Sequence, residues 1–587
     1  MTKCDFDKRQ RFGIRKFTIG ACSVLIGATL FGTPVSADQL ENVDSLSEPA
    51  VELSSVVNEH VEKTEAEEGI LPISTDEKAV TEELNGEASV SDSREEKLPS
   101  APSDNPENKL EDTEEAEDKE VDSSDSGLLL SDFPQVEDQG IRPKEIKFDN
   151  WDQVLAWEPG ARPDDDLNRA SVELVERFRG HVVNERANEN AKVEALSNTN
   201  SKAKDHASVG GEEFKAYAFD YWQYIDSMVF WEGLIPSPDV IDAGHRNGVP
   251  VLGTIFYNWS SSIEDQEKFV SSMRQDSDGS FPVARKLVDM AKYYGFDGYF
   301  INQETTGSLV QPLGETMRNF MLYTKEYAES IGYPITYSWY DAMTYEYGRY
   351  HEDGLGEYNY PFMEKEGDKV PADRFFANFN WTRAKNNYSI EVAKRIGRDP
   401  FDIFAGFELQ RGGSYKTQIN WDALFDENGK LKLSLGLFAP DTITSLGATG
   451  EDYHENENIF FTGYQGDPTK QKPSDKNWYG LANLIADKTA ITSSNFNSSF
   501  NTGHGKKWFV DGKVAKDGEW NYRSVSGILP TWRWWIEASG EKLAAAYDFD
   551  DAYNGGNSLR FTGDLEKMVS RKLSCILPRF LYQKQVV

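Results

Sequence analysis

The stretch GFDGYFINQET at residues 295–305 has the pattern of a buried parallel strand that ends in polar side chains. Because side chains alternate along a strand, Gly298, Phe300, Asn302 and Glu304 share one face. Similar apolar runs recur along the chain, separated by amphipathic stretches typical of helices. This alternation predicts an α/β fold, a (β/α)8 TIM barrel over residues 140–470. The other runs are EEFKAYAF (212–219), SMVFW (227–231), VPVLGTIF (249–256), ITYSW (335–339), RFFAN (374–378), DIFAG (402–406) and LSLGLF (433–438).

Helix signals between these runs support the same fold. Apolar residues at helical spacing over 283–294 predict a helix that ends at Gly295, and a second predicted helix over 312–331 ends before Gly332. EEFKAYAF and SMVFW are too close together in sequence to have a crossover helix between them. The alternative is that the first barrel strand lies upstream, near residues 181–183. A doubly wound sheet is the other fold to consider, although the chain lacks its phosphate-binding fingerprint.

The acidity of the chain is concentrated outside the predicted barrel. The net charge is −37, and residues 38–138 alone carry 32 acidic and six basic side chains with one aromatic residue. Such a segment buries too little apolar surface to fold, so we expect a disordered acidic spacer over 38–139. The overall charge argues against a protein that binds nucleic acid or an anionic membrane.

The N-terminus has the features of an export signal. Basic residues precede a charge-free run, Phe17 to Ala37, which ends in the small-residue pattern Val35-Ser36-Ala37. A membrane anchor is the alternative, but Gly, Thr and Ser dilute the run. The segment RFGIRKFTIGACSVLIG resembles the YSIRK-type signals of Gram-positive surface proteins. We therefore expect a signal peptide over 1–37, no membrane insertion after its cleavage, and a secreted, cell-surface-associated protein.

The texture of the sequence changes again after residue 470. Short alternating segments such as KKWFVDGKV (506–514) predict a β-sandwich segment over 471–537 that packs on the barrel. Strand-like sequence over 538–566 predicts the start of a truncated β domain of carbohydrate-binding type. From Lys567 onward the chain carries five basic and no acidic residues, a break that suggests a frameshift or premature stop over 567–587.

The polar end of the 295–305 stretch is the strongest candidate for chemistry. A glutamate at the carboxyl end of a barrel strand, Glu304, can serve as a general acid, although a polar strand end can also simply cap a turn. Glycoside cleavage usually needs a second carboxylate, but the residue two positions earlier is Asn302. An amide cannot attack an anomeric carbon, whereas it can orient the 2-acetamido group of N-acetylglucosamine so that the substrate supplies the nucleophile. The alternative is a two-carboxylate retaining mechanism with Glu408, from AGFELQRGG, as nucleophile.

Several segments together resemble one enzyme family. FDGYFINQE (296–304) resembles the fourth-strand motif of glycoside hydrolase family 85, the endo-β-N-acetylglucosaminidases. The resemblance implies a hydrolase that cuts the GlcNAc-β1,4-GlcNAc core of N-linked glycans with retention, by substrate assistance. A non-catalytic glycan-binding adhesin on the same scaffold is the alternative. The resemblance continues through YWQYIDSMVFWEG (221–233), PVLGTIFYNW (250–259), YSWYDAMT (337–344), FFANFNW (375–381) and ENENIFFTGYQGDP (455–468).

The resemblance also suggests roles for single residues. It implies that Asn302 orients the acetamide, that Glu304 is the acid/base, and that Tyr340 supports the oxazolinium, with Tyr337 as the alternative. Trp381 resembles the family's aromatic sugar platform, although core packing is a plausible role for it.

Other parts of the site and its partners are expected on weaker grounds. We expect no cofactor and no metal, because the seven histidines lack metal spacing. We expect this protein to be a monomer, and we expect its partners to be N-linked glycans. Further glycan contacts are expected from Asn378, Asn380, Glu408, Trp259 and Trp339.

Overall fold

The computed structural model describes residues 146–162, 165–179, 184–199, 210–447, 451–492, 496–530, 536–540, 543–563 and 568–573. The predicted signal peptide (1–37), the predicted acidic spacer (38–139) and the alternative first strand near 181–183 lie outside these residues. Within the described ranges, no helix is both long and apolar enough to cross a membrane.

Eight parallel strands form a closed barrel. Each strand pairs with the next along the chain, and the last pairs with the first, which confirms the predicted (β/α)8 barrel and excludes a doubly wound sheet. The strands are β1 (Val193–Ser197), β2 (Ser227–Phe230), β3 (Val251–Tyr257), β4 (Gly298–Gln303), β5 (Thr336–Tyr340), β6 (Arg374–Ala377), β7 (Ile403–Glu408) and β8 (Ser434–Phe438).

The first barrel strand is not the one the sequence suggests. Residues 212–219 form an irregular connection, in which Tyr217 and Phe219 pack against aromatic rings of the helix that follows the barrel. The strand β1 comes instead from VEALS, which pairs with both β2 and β8. Glu194, the second of its five residues, interrupts the apolar pattern, so the sequence does not predict a buried strand here.

Helices cover the outside of the barrel. Their ends follow the predicted signals, since Gly295 and Gly332 adopt left-handed conformations with φ of 84° and 67° just beyond two of them. The connection between β5 and β6, residues 341–373, instead contains the short antiparallel strands Met343–Thr344 and Gly348–Arg349. The helices are α1 (Trp151–Ala156), α2 (Pro238–Arg246), α3 (Ile263–Ser272), α4 (Pro282–Tyr294), α5 (Gly314–Ser330), α6 (Arg383–Arg395), α7 (Leu409–Gly412) and α8 (Asp452–Thr462).

An apolar layer fills the middle of the barrel. Phe376 occupies much of this space because the neighbouring inward positions on β7 and β8 are Gly406 and Gly436. A Cβ at Gly436 would lie 2.2 Å from the Phe376 ring, and one at Gly406 would lie 2.8 Å from it. The barrel is therefore a packed core rather than a pore. The layer includes Leu196, Val229, Leu252, Phe300, Phe376 and Phe404.

A charged layer lies toward the amino-terminal ends of the strands. The fully buried Glu194 accepts hydrogen bonds from Ser227 Oγ at 2.9 Å and Ser338 Oγ at 2.5 Å. It also pairs with Arg374 Nη1 at 2.9 Å. These partners satisfy a carboxylate whose burial would otherwise be costly, and they leave the opposite end of the barrel for the site.

From residue 504 onward, the strands among the described residues form three separate two-stranded antiparallel sheets. Arg523, just after the first of them, pairs with Asp239 on α2 at 2.8 Å, so this segment docks on the barrel. The pairing of Ile536–Gly540 with Met568–Leu573 spans the predicted domain boundary at 537 and includes part of the 567–587 tail, for which the sequence suggests a frameshift. The predicted β-sandwich itself stays a prediction. The pairs are β9 (His504–Val510) with β10 (Lys513–Asn521), β12 (Ala544–Asp548) with β13 (Ser558–Thr562), and β11 (Ile536–Gly540) with β14 (Met568–Leu573).

Candidate active site

The carboxyl ends of β3 and β4 hold Asn302 and Glu304 side by side. Asn302 Nδ2 donates to Glu304 Oε2 at 3.0 Å and to the carbonyl oxygen of Tyr257 at 3.4 Å. The main-chain N–H of Glu304 donates to the same carbonyl at 3.0 Å. The strand alternation and these three hydrogen bonds therefore place the amide and the carboxylate on one face at the barrel mouth.

The amide of Asn302 is oriented by its protein contacts. Both hydrogen bonds of Asn302 use its Nδ2 group, and among the described residues none donates to its Oδ1. The residue is almost fully buried, so the amide cannot turn freely. Its carbonyl oxygen is the group available to accept a hydrogen bond from a ligand N–H.

Two basic side chains approach Glu304 from the β5–β6 connection. His351 Nε2 lies 3.7 Å from Glu304 Oε1, and Arg349 Nη1 donates to the Glu304 main-chain carbonyl at 2.7 Å. Burial lowers the pKa of Arg349, and the charge of Glu304 offsets part of that effect. The Glu304 side chain keeps 19% of its surface exposed, so it is enclosed but open to a ligand.

Trp259 forms an exposed aromatic surface beside these residues. Its side chain is 61% exposed, the Arg349 guanidinium lies 3.4 Å from its ring centroid, and the His351 ring stacks at 5.5 Å and 7°. These contacts hold the ring in place, and a fixed aromatic face suits the C–H surface of a sugar.

Tyr340 faces the same space from the end of β5. Its hydroxyl donates to Asn378 Oδ1 at 2.9 Å, and Asn378 Nδ2 donates in turn to Asp353 Oδ1 at 2.7 Å. Burial and the nearby charges of Glu304 and Asp341 raise the pKa of Tyr340 above its ordinary value. The site thus holds a neutral hydroxyl whose position is set through Asn378, and Asn380 contacts the same Asp353 at 3.4 Å.

Three predicted site residues face away from the barrel mouth. Tyr337 and Trp339 point to the opposite face of β5 from Tyr340. Both are fully buried in the outer core, where the ring centroids of Trp339 and Phe362 stack 4.3 Å apart. The predicted glycan contact of Trp339 stays a prediction, and this burial gives it no support. Trp381 is only 9% exposed, packs near Phe407, and donates its N–H to the Gly406 carbonyl at 2.7 Å, which is the packing role.

Glu408 lies at the end of β7, and its carboxylate accepts hydrogen bonds from the short helix that follows. Both of its carboxylate oxygens accept the main-chain N–H of Arg411, at 3.2 and 3.1 Å, so it caps α7. This hydrogen bonding orients the carboxylate toward its own helix.

An aromatic cluster at the mouth was not among the predicted site residues. Trp231 follows β2, and its ring makes edge contacts with Phe256 at 5.6 Å and Phe438 at 5.2 Å. Phe379 contacts Phe438 at 5.7 Å. Each of these residues lies at a strand end, which is the signal that could have identified them.

A second polar cluster is formed by residues far from Glu304 in sequence. Asp220, His454 and Glu457 offer ligand atoms within 4.8 Å of one another among the described residues. They belong to a hydrogen-bonded network, in which His454 Nε2 lies 2.8 Å from His504 Nε2 and Tyr217 donates to Glu457. The network joins α8 to β9, and we assign no metal to it.

The sequence pattern of Glycosyl hydrolase family 85 matches residues 197–508, which include barrel strands β2 to β8 and every residue placed around Glu304. The chain belongs to this family. A YSIRK type signal peptide matches residues 7–32, which points to secretion from a Gram-positive bacterium, as predicted.

Several known proteins match over much of this chain. The protein in the crystal structure of the Spr0440 glycoside hydrolase domain, Endo-D from Streptococcus pneumoniae R6, is 74% identical with a TM-score of 0.70, and the match covers 72% of this chain and 67% of that one. Cytosolic endo-beta-N-acetylglucosaminidases are 27% identical in Danio rerio and 26% in Gallus gallus, with matches over 64% and 74% of this chain. The matches cover 48% and 54% of those proteins, so the chain spans about half the length of these relatives.

Proposed function

We propose that this family 85 chain is a secreted endo-β-N-acetylglucosaminidase that hydrolyses the GlcNAc-β1,4-GlcNAc core of N-linked glycans. The observation that carries the proposal is the amide–carboxylate pair of Asn302 and Glu304, 3.0 Å apart at the mouth of the barrel. An acid beside an amide, rather than beside a second carboxylate, suits a substrate that brings its own nucleophile.

In the first step the substrate attacks itself. The 2-acetamido carbonyl oxygen forms a bond to C1, the C1–O glycosidic bond breaks, and Glu304 gives its proton to the leaving oxygen. Asn302 Oδ1 accepts a hydrogen bond from the acetamido N–H, which holds the group in line and stabilises the positive charge that develops on it. The product of this step is an oxazolinium on one fragment and a free hydroxyl on the other.

In the second step water opens the ring. The Glu304 carboxylate takes a proton from water, the water oxygen bonds to C1, and the C1–O bond of the oxazolinium breaks to regenerate the acetamide. Two displacements at C1 give net retention. Tyr340, kept neutral and fixed by Asn378, supports the oxazolinium, while Trp259 provides a face for a sugar ring.

The two-carboxylate alternative finds less support in the site. Glu408 directs both oxygens to the main-chain N–H of Arg411, whereas a nucleophile must present one oxygen to C1. The adhesin alternative would explain the aromatic mouth, but it gives no reason for an acid enclosed beside an amide.

Mass analysis of a glycoprotein after incubation tests the proposal. We expect the protein to retain one N-acetylglucosamine on asparagine, with loss of the rest of the glycan. Glu304→Gln should leave the glycan intact, whereas Glu158→Gln, a change at an exposed carboxylate paired with Lys286, should not slow release. Binding of glycan without release by the unaltered chain would support the adhesin and exclude the enzyme.

Cell-surface association and a monomeric state complete the proposal. The signal at 7–32 supports export, and its resemblance to the signals of Gram-positive surface proteins supports a place at the cell surface. Immunoblots of wall and medium fractions from producing cells, together with sedimentation of the purified chain, test these two points. A cytoplasmic or dimeric protein would contradict them.

A further inference from the structure

A groove lies on the β5–β6 connection, beyond the residues that surround Glu304. It has a volume of about 460 Å³ and combines tyrosine rings with carboxylates. This volume falls within the range of small-ligand pockets. We call it the tyrosine groove, and its main lining residues are Tyr345, Tyr358, Tyr360, Glu346, Glu357 and Glu364.

Exposed tyrosines extend the groove into a ridge. Tyr347 is 57% exposed, Tyr350 is 56% exposed and Tyr358 is 46% exposed. The Tyr358 ring makes edge contacts with Tyr347 at 5.3 Å and with Tyr350 at 6.1 Å. Two exposed aromatic rings packed on either side of a third form an apolar surface of the kind that marks a binding site.

The charge of the groove restricts the ligand that it can hold. Arg318 is its one lining cation among the described residues, and Arg318 already pairs with Glu366 at 2.6 Å. Of the lining glutamates, Glu357 pairs with Arg395 at 2.7 Å, and the other two lining carboxylates repel phosphate, sulfate and nucleic acid. Carboxylates accept hydrogen bonds from hydroxyl groups, and tyrosine faces contact sugar C–H surfaces, so a neutral hexopyranose fits this lining.

The groove and the candidate active site share one segment of chain. Tyr350 stands between Arg349 and His351, which both contact Glu304, whereas Tyr350 contacts Tyr358 of the groove. A three-residue segment with alternating side chains thus presents one side to the acid and the other to the tyrosine ridge. A branched glycan whose core lies at Glu304 needs to cross only this segment to reach the groove.

We propose that the tyrosine groove is a second sugar-binding site, which holds neutral hexose units of the glycan branch while the core is at Glu304. The proposal rests on the proposed function for the identity of the glycan, but the binding itself needs no turnover. A second copy of the chain is a different occupant, and the test separates it.

The test uses the full chain with Glu304→Gln, titrated with a mannose oligosaccharide and followed by calorimetry. Adding Tyr358→Ala should weaken binding about tenfold, since one stacked ring is lost. Tyr358→Phe should keep the affinity, because it keeps the ring, and Val514→Ala, which removes an exposed apolar side chain on β10, should not change it.

Equal affinity of the Tyr358→Ala and parent chains for the oligosaccharide would overturn the proposal. A dimer in sedimentation that Tyr358→Ala dissociates would also overturn it, in favour of a second copy. In the active chain, Tyr358→Ala should raise KM for a branched glycan about tenfold, the loss expected for one aromatic contact. If the active chain releases no glycan but the mannose titration behaves as expected, the proposed function fails and the sugar site stands.

Discussion

The guanidinium of Arg349 donates a 2.7 Å hydrogen bond to the main-chain carbonyl of Glu304, across 45 residues of sequence. The same guanidinium lies over Trp259. One side chain therefore connects the acid, the aromatic surface and the short antiparallel strands of the β5–β6 connection. Arg349 is a positioning residue, because it acts through the main chain of Glu304 rather than on the sugar.

Arg349→Lys should lower kcat about tenfold with a smaller change in KM, because lysine keeps the charge but cannot form the planar contact with both partners. Arg349→Ala should lose more. Steady-state kinetics on a defined glycan checks both variants. Arg560→Lys, at an exposed pair with Asp548, is the matched control and should not change kcat. Equal losses in kcat for both lysine variants would contradict the positioning role.

Asn302→Ala should reduce hydrolysis by about 10²-fold or more, as removal of a group that aligns the reacting atoms does. Glu408→Gln should keep measurable activity, because the acetamide is the nucleophile. Rates on one glycan, with folding checked by circular dichroism, compare the two variants. The reverse pattern, an active Asn302→Ala and an inactive Glu408→Gln, would establish the two-carboxylate mechanism.

Tyr340→Phe should lower kcat about tenfold, since it removes one hydroxyl that faces the developing charge. Asn378→Ala should also lower kcat, but by less, because it removes the hydrogen bond that positions the Tyr340 hydroxyl and leaves the hydroxyl itself in place. A double-mutant cycle measures their coupling. Additive effects would show that Asn378 does not act through Tyr340.

His245 predicts a pH dependence of stability at the amino-terminal side of the barrel. Its ring nitrogens lie 2.8 Å from Val172 O and Asp297 Oδ2. Burial lowers the pKa of His245, but the hydrogen bond and charge of Asp297, the hydrogen bond to Val172 and the charge of Asp242 together outweigh burial and raise the pKa above 6.5. The stabilisation is then complete below the unfolded pKa and disappears as pH rises through the folded pKa.

We therefore expect the thermal midpoint to fall as pH rises above 6.5. His245→Gln should flatten that dependence, because the substituted side chain does not titrate. Thermal melts at a series of pH values, read by tryptophan fluorescence, measure the difference. Parallel curves for both chains would show that His245 gains no proton on folding.

Arg374→Met should destabilise the barrel by about 3–5 kcal/mol, because it leaves the buried Glu194 carboxylate without its cation. The double variant with Glu194→Gln should recover part of this loss. Denaturant unfolding gives the free energies, with Arg560→Met as an exposed-pair control expected to cost less than about 1 kcal/mol. Equal costs at the two sites would mean that Glu194 is not charged in the fold.

The sequence predicted best where one regular strand determines the geometry. Alternation along 298–304 placed Asn302 and Glu304 on one face, and the structure places both there. The same rule excludes a site that contains both Trp339 and Tyr340, since adjacent strand residues point to opposite faces. Strand β1 escaped recognition because Glu194 faces the interior, and a buried charge depends on partners distant in sequence.

Arg349 and His351 could not be predicted from local pattern. Their positions depend on the pairing of Met343–Thr344 with Gly348–Arg349 and on how that connection returns to β4. Likewise, a tryptophan at a strand end suits either a sugar platform or a packed core. Only the surroundings separate Trp259, which is exposed, from Trp381, which is buried.

The filled interior of the barrel also determines by which route a ligand enters and leaves. Phe376, pressed against Gly406 and Gly436, and the Glu194–Arg374 pair behind it leave no passage along the axis. Under the proposed function, both products of a glycan cleaved at Glu304 therefore leave through the barrel mouth, by which the substrate entered. The slower of those two departures sets how soon the next molecule can enter.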